Sequence, residues 1–123
     1  MRRAYRLRSS ADFQRVRALK RSLAHPLLIL YTAPNEAGHP RLGITVSRRT
    51  AKEFGKAVVR NRVRRRVVEA ARRHLAGSRQ TVDLLFIARG PSATADWPAL
   101  SGAVDQLIRR ARLMPPAPAA ERT

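Results

Sequence analysis

The sequence predicts an α+β fold, a two-layer α/β sandwich in which helices pack on one small sheet. Apolar residues recur at helical spacing in three segments, and they alternate or form short runs of strand length in three others. These segments follow one another in the order α-β-β-α-β-α, without an internal repeat. At 123 residues, of which 44% are hydrophobic, the chain can build one modest core, so we expect a single domain.

The first half of the chain is predicted to contain one helix and two strands. Ser9-Ser10-Ala11-Asp12 has the Ser-x-x-Asp form of a capping box, and a short helix then runs to about Arg21. The apolar run at 26–32, bounded by proline and turn residues, indicates a strand. Alternation at 41–47 predicts a second strand, which we expect to complete a hairpin with the first. A further short strand is a candidate near 22–24.

The second half is predicted to contain two helices on either side of a strand. The long helix lies within 55–75 and is stopped by Gly77. The stretch 82–89 is apolar almost throughout, which is typical of a strand covered on both faces. A last helix spans about 96–113. We therefore expect a basic N-terminal arm at 1–8, a single domain at 9–113 and a Pro/Ala-rich tail at 114–123 that joins no core.

The long helix combines an apolar face with many cations. Between residues 56 and 73 it carries eight cationic residues and one carboxylate, Glu69. At about 100° per residue, its apolar side chains share one face. They are Val59, Val63, Val67, Ala70, Ala71 and Leu75. The same spacing places Arg62, Arg66 and Arg73 along one flank, whereas Asn61, Arg65 and Arg72 lie on the far side and Arg60 and Arg64 near the other edge.

The charge of the chain indicates a polyanionic partner. Its formal net charge is +18, and only Lys20, Lys52 and Lys56 are lysines, so 23 of the 26 basic residues are arginine. Arginine favours fork-like contacts with phosphate and stacking on bases. Like charges this close on one helix repel each other, and a polyanion would relieve that repulsion. A nucleic-acid surface is therefore favoured over the alternative, a merely solvated charged face.

Several kinds of site lack a signal in the sequence. The chain has no cysteine, hence no disulfide and no thiolate metal site. It has no apolar run long enough to span a membrane and no signal-peptide core after Met1-Arg2-Arg3, so we expect the cytoplasm. Its eight acidic residues form no close pair, and His25, His39 and His74 lack ligand spacing. Although distant residues can converge in a fold, a binding protein is expected, with no metal site and no catalytic group of its own.

Two stretches of the chain resemble the protein component of bacterial ribonuclease P. They are RLGITVSRR at 41–49 and GKAVVRNRVRR at 55–65, whose Arg-Asn-Arg centre is that family's signature. Asp12-Phe13 and the strand at 82–89 also fit, and the resemblance covers about residues 5–113. One departure is the linker 50–54, which is longer than the family pattern leads us to expect.

The resemblance implies a fold, and it implies separate roles for a catalytic RNA and for the protein. The fold would be similar to ribosomal S5 domain 2, with a left-handed β-α-β crossover, opposite to the general rule. The family's catalyst is an RNA that removes the 5′ leader of precursor tRNA by Mg²⁺-dependent hydrolysis. The protein would bind that RNA, one protein per RNA, and hold the leader, without a cofactor of its own and without a membrane.

The resemblance also implies two sets of site residues. The first set would dock on the catalytic RNA and consists of Lys56, Arg60, Asn61, Arg62, Arg64, Arg65, Arg66, Arg72 and Arg73. The second set would form a cleft that stacks leader bases in a basic groove, an arrangement suited to single strands of any sequence. It consists of Phe13, Arg17, Tyr31, Arg48, Arg49, Phe86 and Arg89, with Arg15 as a further candidate.

The residues leave alternatives open for both sets. Asn61 could instead bond the linker at 47–54, Phe13 and Phe86 could be ordinary core residues, and the cleft arginines could be solvated charges. Trp97 is expected to serve packing. Two other functions remain as hypotheses: a ribosomal or structural RNA-binding protein, and a self-sufficient nuclease that would depend on Asp12 or Asp83.

Overall fold

The computed structural model of the chain describes residues 6–7, 9–46, 55, 57–75 and 80–113. The helices in this part are α1 (Ser10–Ala18), α2 (Ala57–Leu75) and α3 (Trp97–Leu113). The strands are β1 (Ser22–Ala24), β2 (Leu28–Pro34), β3 (Arg41–Val46) and β4 (Val82–Ala88), and a short 3-10 turn spans Gly90–Ala93. The predicted element order is confirmed, and the candidate strand near 22–24 is β1. None of the described helices is long and apolar enough to cross a membrane.

Helix α1 begins at the predicted cap but ends early. The Ser9 hydroxyl accepts a hydrogen bond from the Asp12 backbone N–H at 3.1 Å, which satisfies a donor that the first turn leaves open. The helix ends at Ala18 instead of running to about Arg21. The reason is that Lys20 takes a left-handed conformation with φ of 56°, and its N–H bonds back to the Arg17 carbonyl at 3.1 Å.

The four strands form one mixed sheet in the order β1-β2-β4-β3. The predicted hairpin of β2 and β3 is wrong, because β4 lies between them, antiparallel to β2 and parallel to β3. A strand that is apolar on both faces gains most from a central position, and β4 is buried at every residue from Asp83 to Ala88. The segment β3–α2–β4 is therefore a β-α-β crossover. Its left-handed sense remains a prediction from the resemblance.

The sheet has two covered faces. Alternate residues such as Leu30 and Phe86 point towards α2 and α3, where they meet Val63 and Val67 in the larger core. Their neighbours, such as Leu85 and Ile87, point to the other side and pack with Val16 of α1. We call these the α2–α3 face and the α1 face of the sheet.

The first described residues belong to the packed body. Arg6 forms a parallel bridge with Leu42, and the Leu7 N–H donates to the Leu42 carbonyl at 2.9 Å. Leu7 is 5% exposed and sits in the core on the α1 face. Packing thus extends into the predicted arm at least as far as Leu7, while residues 1–5, residue 8 and the predicted tail 114–123 lie outside the described residues.

Candidate nucleic-acid interface

Helix α2 carries cations whose side chains have no partner among the described residues. Val63, Val67, Ala70 and Ala71 are buried, so helical periodicity turns Asn61 and Arg65 away from the core and places Arg60 and Arg64 near one edge of the buried face. Arg60 is half-buried, and the other outward residues are exposed. None of their side chains forms a hydrogen bond or an ion pair with another described residue. These residues, which we call the outward set, are Arg60, Asn61, Arg64 and Arg65.

One flank of α2 is used for packing. Arg62 donates to the Ala93 carbonyl at 3.1 Å, and Arg66 donates to the Ala95 carbonyl at 3.2 Å. Arg73 donates to the Ser101 hydroxyl at 3.1 Å. These three side chains lie on one flank, as the helical spacing predicts, and tie α2 to the turn before α3 and to α3 itself. A guanidinium group has five N–H donors, so each of the three retains donors for a phosphate.

The single carboxylate of α2 neutralises little of this surface. Glu69 pairs with Arg72 at 2.8 Å, three residues along the same helix. Both side chains are more than half exposed, so the pair contributes little to stability. Arg65, one turn before Glu69, has no pairing with it. The outward set therefore keeps its positive charge.

Beside α1, the sheet offers a shallow open groove. Phe13 and Tyr31 are half-buried and pack against the small core on the α1 face. The guanidinium carbon of Arg17 lies 5.8 Å from the centre of the Tyr31 ring, within the range of a cation–π contact. The groove is lined by Gln14, Arg17, Ala18, Lys20, Ser22 and Tyr31.

A buried carboxylate fixes the other end of α1. The Asp83 side chain is fully buried, and it accepts hydrogen bonds from Arg41 at 2.8 Å, from Asn35 at 2.7 Å and from Arg15. The hydrogen bonds from Arg41 to Asp83 raise the pKa of that guanidinium, against the opposing effect of burial. Asp12 lies 3.7 Å from Arg41 and 3.8 Å from Arg15. Arg15 is thus engaged within the fold, and both oxygens of Asp83 are occupied by donors.

The network around Asp83 argues against the hypothesis of a self-sufficient nuclease. That hypothesis needs Asp12 or Asp83 as a metal ligand, yet cationic donors surround both carboxylates. Across the part of the chain that the structure describes, no three His, Cys, Asp or Glu side chains come close enough to hold a metal ion together. His74 lies half-buried at the end of α2, where its Nε2 is 2.6 Å from the Asp105 carboxylate of α3.

Comparison with known proteins places these features in a family. The family model described as Ribonuclease P matches residues 1–112. The chain belongs to the ribonuclease P protein family. The ribonuclease P protein component of Herpetosiphon aurantiacus is 43% identical over 113 residues, which is 92% of this chain and 89% of the relative. That of Roseiflexus castenholzii is 44% identical over 112 residues, covering 90% of this chain and 88% of the relative.

A solved structure of the same family agrees with the fold. The RNase P protein of Staphylococcus aureus is 30% identical, with a TM-score of 0.77 and coverage of 90% of this chain and 98% of that protein. The α+β fold and the family membership expected from the Arg-Asn-Arg stretch are confirmed.

Within this ribonuclease P protein, the residues predicted for the leader cleft do not all come together. Phe13, Arg17 and Tyr31 share the α1 face. Phe86 is a wrong assignment, because it is 0% exposed and points to the α2–α3 face. In the β2–β4 register Leu85, not Phe86, stands opposite Tyr31, so Phe86 and Tyr31 face opposite sides of the sheet.

Arg89 lies away from the groove. It is four residues beyond Leu85 along β4, roughly 13 Å at the usual strand rise. Its guanidinium donates to the His25 carbonyl at 3.3 Å, and its N–H donates to the Leu27 carbonyl at 3.0 Å. Arg48, Arg49 and Lys56 lie outside the described residues, as does the linker that Asn61 was expected to contact in the alternative.

Sequence reasoning missed two residues of this family member's α1 face. Ile29 and Thr45 are half-buried and flank Ile87 on either side in the sheet register. Because successive residues of a strand alternate between the two faces of the sheet, both point to the same side as Tyr31. The sequence alone would predict this once β2 and β3 are known to flank β4.

Proposed function

We propose that the chain acts as the protein subunit of ribonuclease P, in which the outward set of α2 binds the catalytic RNA and the groove beside α1 binds the 5′ leader of precursor tRNA. The observation that carries the proposal is the outward set itself. Arg64 and Arg65 are exposed and Arg60 is half-buried at the edge of the packed face, and the side chains of all three have no partner among the described residues. A bound polyanion would supply the partner that the described part of the fold does not.

The geometry of α2 suits a phosphate backbone. Residues 60, 61, 64 and 65 lie within about one and a half turns, so their side chains present several donors within about 8 Å of helix axis. Guanidinium groups hold phosphate oxygens in a bidentate manner, and each neutralised phosphate releases counterions. Asn61 both donates and accepts hydrogen bonds, so it can contact a base edge.

The groove beside α1 supports leader binding of low sequence specificity. Tyr31 lines the groove and offers aromatic surface, Arg17 and Lys20 place positive charge along its rim, and Phe13 packs on the same face of the sheet. Aromatic stacking accepts any base, because every base has a π-face. The two proposed RNA surfaces lie on opposite faces of the sheet, so both RNAs can be held at once.

The proposal leaves the hydrolysis to the RNA. Arginine stays protonated in proteins and cannot remove a proton from water, so the arginines of both surfaces bind and position the RNA. Mg²⁺ would be held by the RNA of the holoenzyme, with one protein per RNA. The proposed substrate, newly made precursor tRNA, places the complex in the cytoplasm.

Reconstitution tests this proposal. The purified chain is expected to cleave no precursor tRNA alone, and to stimulate 5′ leader removal by its cognate RNA at low Mg²⁺ concentration. The triple variant Arg60→Ala/Arg64→Ala/Arg65→Ala should lose both RNA binding and stimulation. Arg109→Ala removes an exposed arginine of α3 and serves as the charge control, which should bind and stimulate like the wild type. Leader removal by RNA-free protein, or full stimulation by the triple variant, would contradict the proposal.

A further inference from the structure

A second aromatic residue lies in a basic depression on the α2–α3 side. Trp97 is the single tryptophan of the chain and the first residue of α3. It is half-buried, since part of the ring packs against the larger core and the rest lines an open depression. The depression is lined by Arg62, Arg65, Arg66, Glu69 and Trp97. An indole ring and three guanidinium groups thus share one surface feature.

Most of this feature is fixed by the fold. Arg62 and Arg66 are held by the carbonyls of Ala93 and Ala95. The guanidinium carbon of Arg73 lies 5.9 Å from the centre of the Trp97 ring, and Arg73 is itself tied to the Ser101 hydroxyl. The ring is therefore positioned between the core and an anchored cation before any ligand arrives, which lowers the ordering cost of binding. Arg65 is the one arginine of the depression without a partner among the described residues.

We propose that this depression binds one unpaired nucleotide of the catalytic RNA, with its base stacked on Trp97 and its phosphate held by Arg65. The inference rests on the proposed function, because it assumes that the outward set of α2 faces that RNA. Arg62 and Arg66 complete the phosphate site with the donors that their carbonyl contacts leave free.

The chemistry of the depression favours a nucleotide over other anions. The guanidinium groups match phosphate, and the indole matches a base face, which is available only where the RNA is unpaired. Glu69 lies at the same depression and disfavours a ligand with dense negative charge. A single phosphate next to an uncharged base satisfies both conditions, whereas an acidic peptide would leave the indole unused.

The location identifies the source of the nucleotide. The depression lies on the α2–α3 side, next to Arg65 of the outward set, while Tyr31 and Arg17 lie on the α1 face. A leader bound in the groove beside α1 is on the other side of the sheet. The nucleotide is therefore assigned to the catalytic RNA and not to the precursor.

Trp97 fluorescence gives a direct test, because no other tryptophan contributes to the signal. Addition of the catalytic RNA to the wild-type chain is expected to quench the emission with the same midpoint as RNA binding measured by filter retention. Heparin, a polyanion without bases, occupies arginines but cannot stack, and it should leave the emission nearly unchanged. Binding of the RNA at full affinity without a change in emission would overturn the inference and leave the proposed function intact.

Two variants separate stacking from packing. Trp97→Leu keeps apolar bulk but removes the stacking surface, so it should bind the catalytic RNA about tenfold more weakly. Trp97→Phe keeps an aromatic ring and should lie within a few-fold of the wild type. Circular dichroism melting of both variants reports whether the fold persists, and equal RNA affinity of Trp97→Leu and the wild type would overturn the inference.

Two further outcomes distinguish failure of this inference from failure of the proposed function. If precursor tRNA alone quenches Trp97 and the catalytic RNA does not, the assignment to the catalytic RNA is overturned. If the wild-type chain fails to bind the catalytic RNA at all, the proposed function falls, and this inference falls with it.

Discussion

The Asp83 carboxylate is the shared acceptor of several hydrogen bonds and ion pairs. Its side chain is fully buried, and two arginines and Asn35 donate to it. Removal of the carboxylate leaves Asn35 and the partly buried Arg41 without their acceptor, whereas the exposed Arg15 can be solvated. We expect Asp83→Ala to lower the free energy of unfolding by about 3 kcal/mol, the low end of the loss for a buried pair, because only the carboxylate is fully buried. Urea denaturation at neutral pH measures the effect.

A matched control is Glu69, whose pair with Arg72 is exposed. Glu69→Ala should change the free energy of unfolding by less than about 1 kcal/mol, because water screens the pair and already solvates both ends. Equal losses in the two variants would contradict the view that burial sets the value of the Asp83 network.

His25 gives the stability of the protein a dependence on pH. Its Nδ1 accepts a hydrogen bond from the Leu27 N–H at 3.0 Å, which requires the neutral ring. Burial, followed by the charge of Arg110, lowers the pKa of His25 from its usual value of 6.5. Because the folded-state pKa lies below the unfolded one, the full stability is present above 6.5 and is lost as the pH falls through the folded-state pKa.

The variant His25→Asn isolates this contribution. An Asn side chain can accept the same bond from the residue two places on, as Asn35 does from the Ala37 N–H at 2.9 Å, and it does not titrate. Urea midpoints measured between about pH 8 and pH 5 should fall less in this variant than in the wild type. An identical fall in both proteins would show that protonation of His25 does not contribute to the pH dependence of stability.

At the scale of single residues, the alternation of apolar and polar residues along a strand determines whether the sequence can predict which face of the sheet a side chain occupies. The alternation of β2 identifies Tyr31 and Leu30 as a pair facing opposite sides, but β4 is apolar at both parities, so nothing local assigns a face to Phe86. The Asp83 network was likewise beyond prediction, because its partners Arg15 and Arg41 lie 68 and 42 residues away in the chain.

At the scale of elements, Gly43 allows β3 to approach α1. A Cβ at this position would lie 2.9 Å from the Leu7 Cβ, 3.1 Å from the Phe13 ring and 3.3 Å from Leu85. Gly43→Ala should therefore displace α1 or the first described residues and lower the free energy of unfolding by about 1–3 kcal/mol. Thermal melting measures the change, and altered near-UV circular dichroism would report the displaced aromatic ring.

Gly102 of α3 provides the opposite control. It is exposed within the helix, and no atom lies within 4 Å of an added Cβ. Gly102→Ala should stabilise the protein by about 0.5–1 kcal/mol, because alanine loses less backbone entropy in a helix. If both substitutions raised the melting temperature, close packing at Gly43 would not be the determining factor.

In α2, arginines on different sides of the helix are expected to serve different purposes, RNA binding alone or RNA binding together with packing. Arg65 has no side-chain partner among the described residues, so Arg65→Ala should weaken RNA binding and reduce the slope of log affinity against log salt by about 0.7, with an unchanged melting temperature. Arg66 also anchors the Ala95 carbonyl, so Arg66→Ala should lower both the RNA affinity and the melting temperature. Equal melting temperatures for the two variants would argue against a structural role of Arg66.

The arrangement of elements shows where sequence patterns stop being informative. The helical and strand segments and the apolar face of α2 follow from local spacing, and the structure confirms them. The hairpin prediction failed because pairing is not local: β4 enters between β2 and β3 only after the α2 crossover. Its apolar character on both faces was the one hint of a central position, and it outweighs the proximity of β2 and β3 in the chain.

At the scale of the whole molecule, the net charge of +18 opposes folding in the absence of a partner. The pairs around Asp83 have a fully buried carboxylate and are screened less, whereas the repulsion among surface arginines acts through solvent and is screened readily. Added potassium chloride should therefore raise the melting temperature of the free chain. This salt is chosen because sulfate would stabilise the fold by exclusion from the surface as well.

The RNA complex should respond to salt in the opposite direction. Binding to the folded state stabilises the protein by mass action, and salt weakens that binding through counterion release. Melting curves with the catalytic RNA should start at a higher temperature than the free chain in low salt and converge with it as salt increases. A melting temperature of the free chain that falls with potassium chloride would contradict this prediction, because it would mean that surface ion pairs outweigh the repulsion among the 26 basic residues.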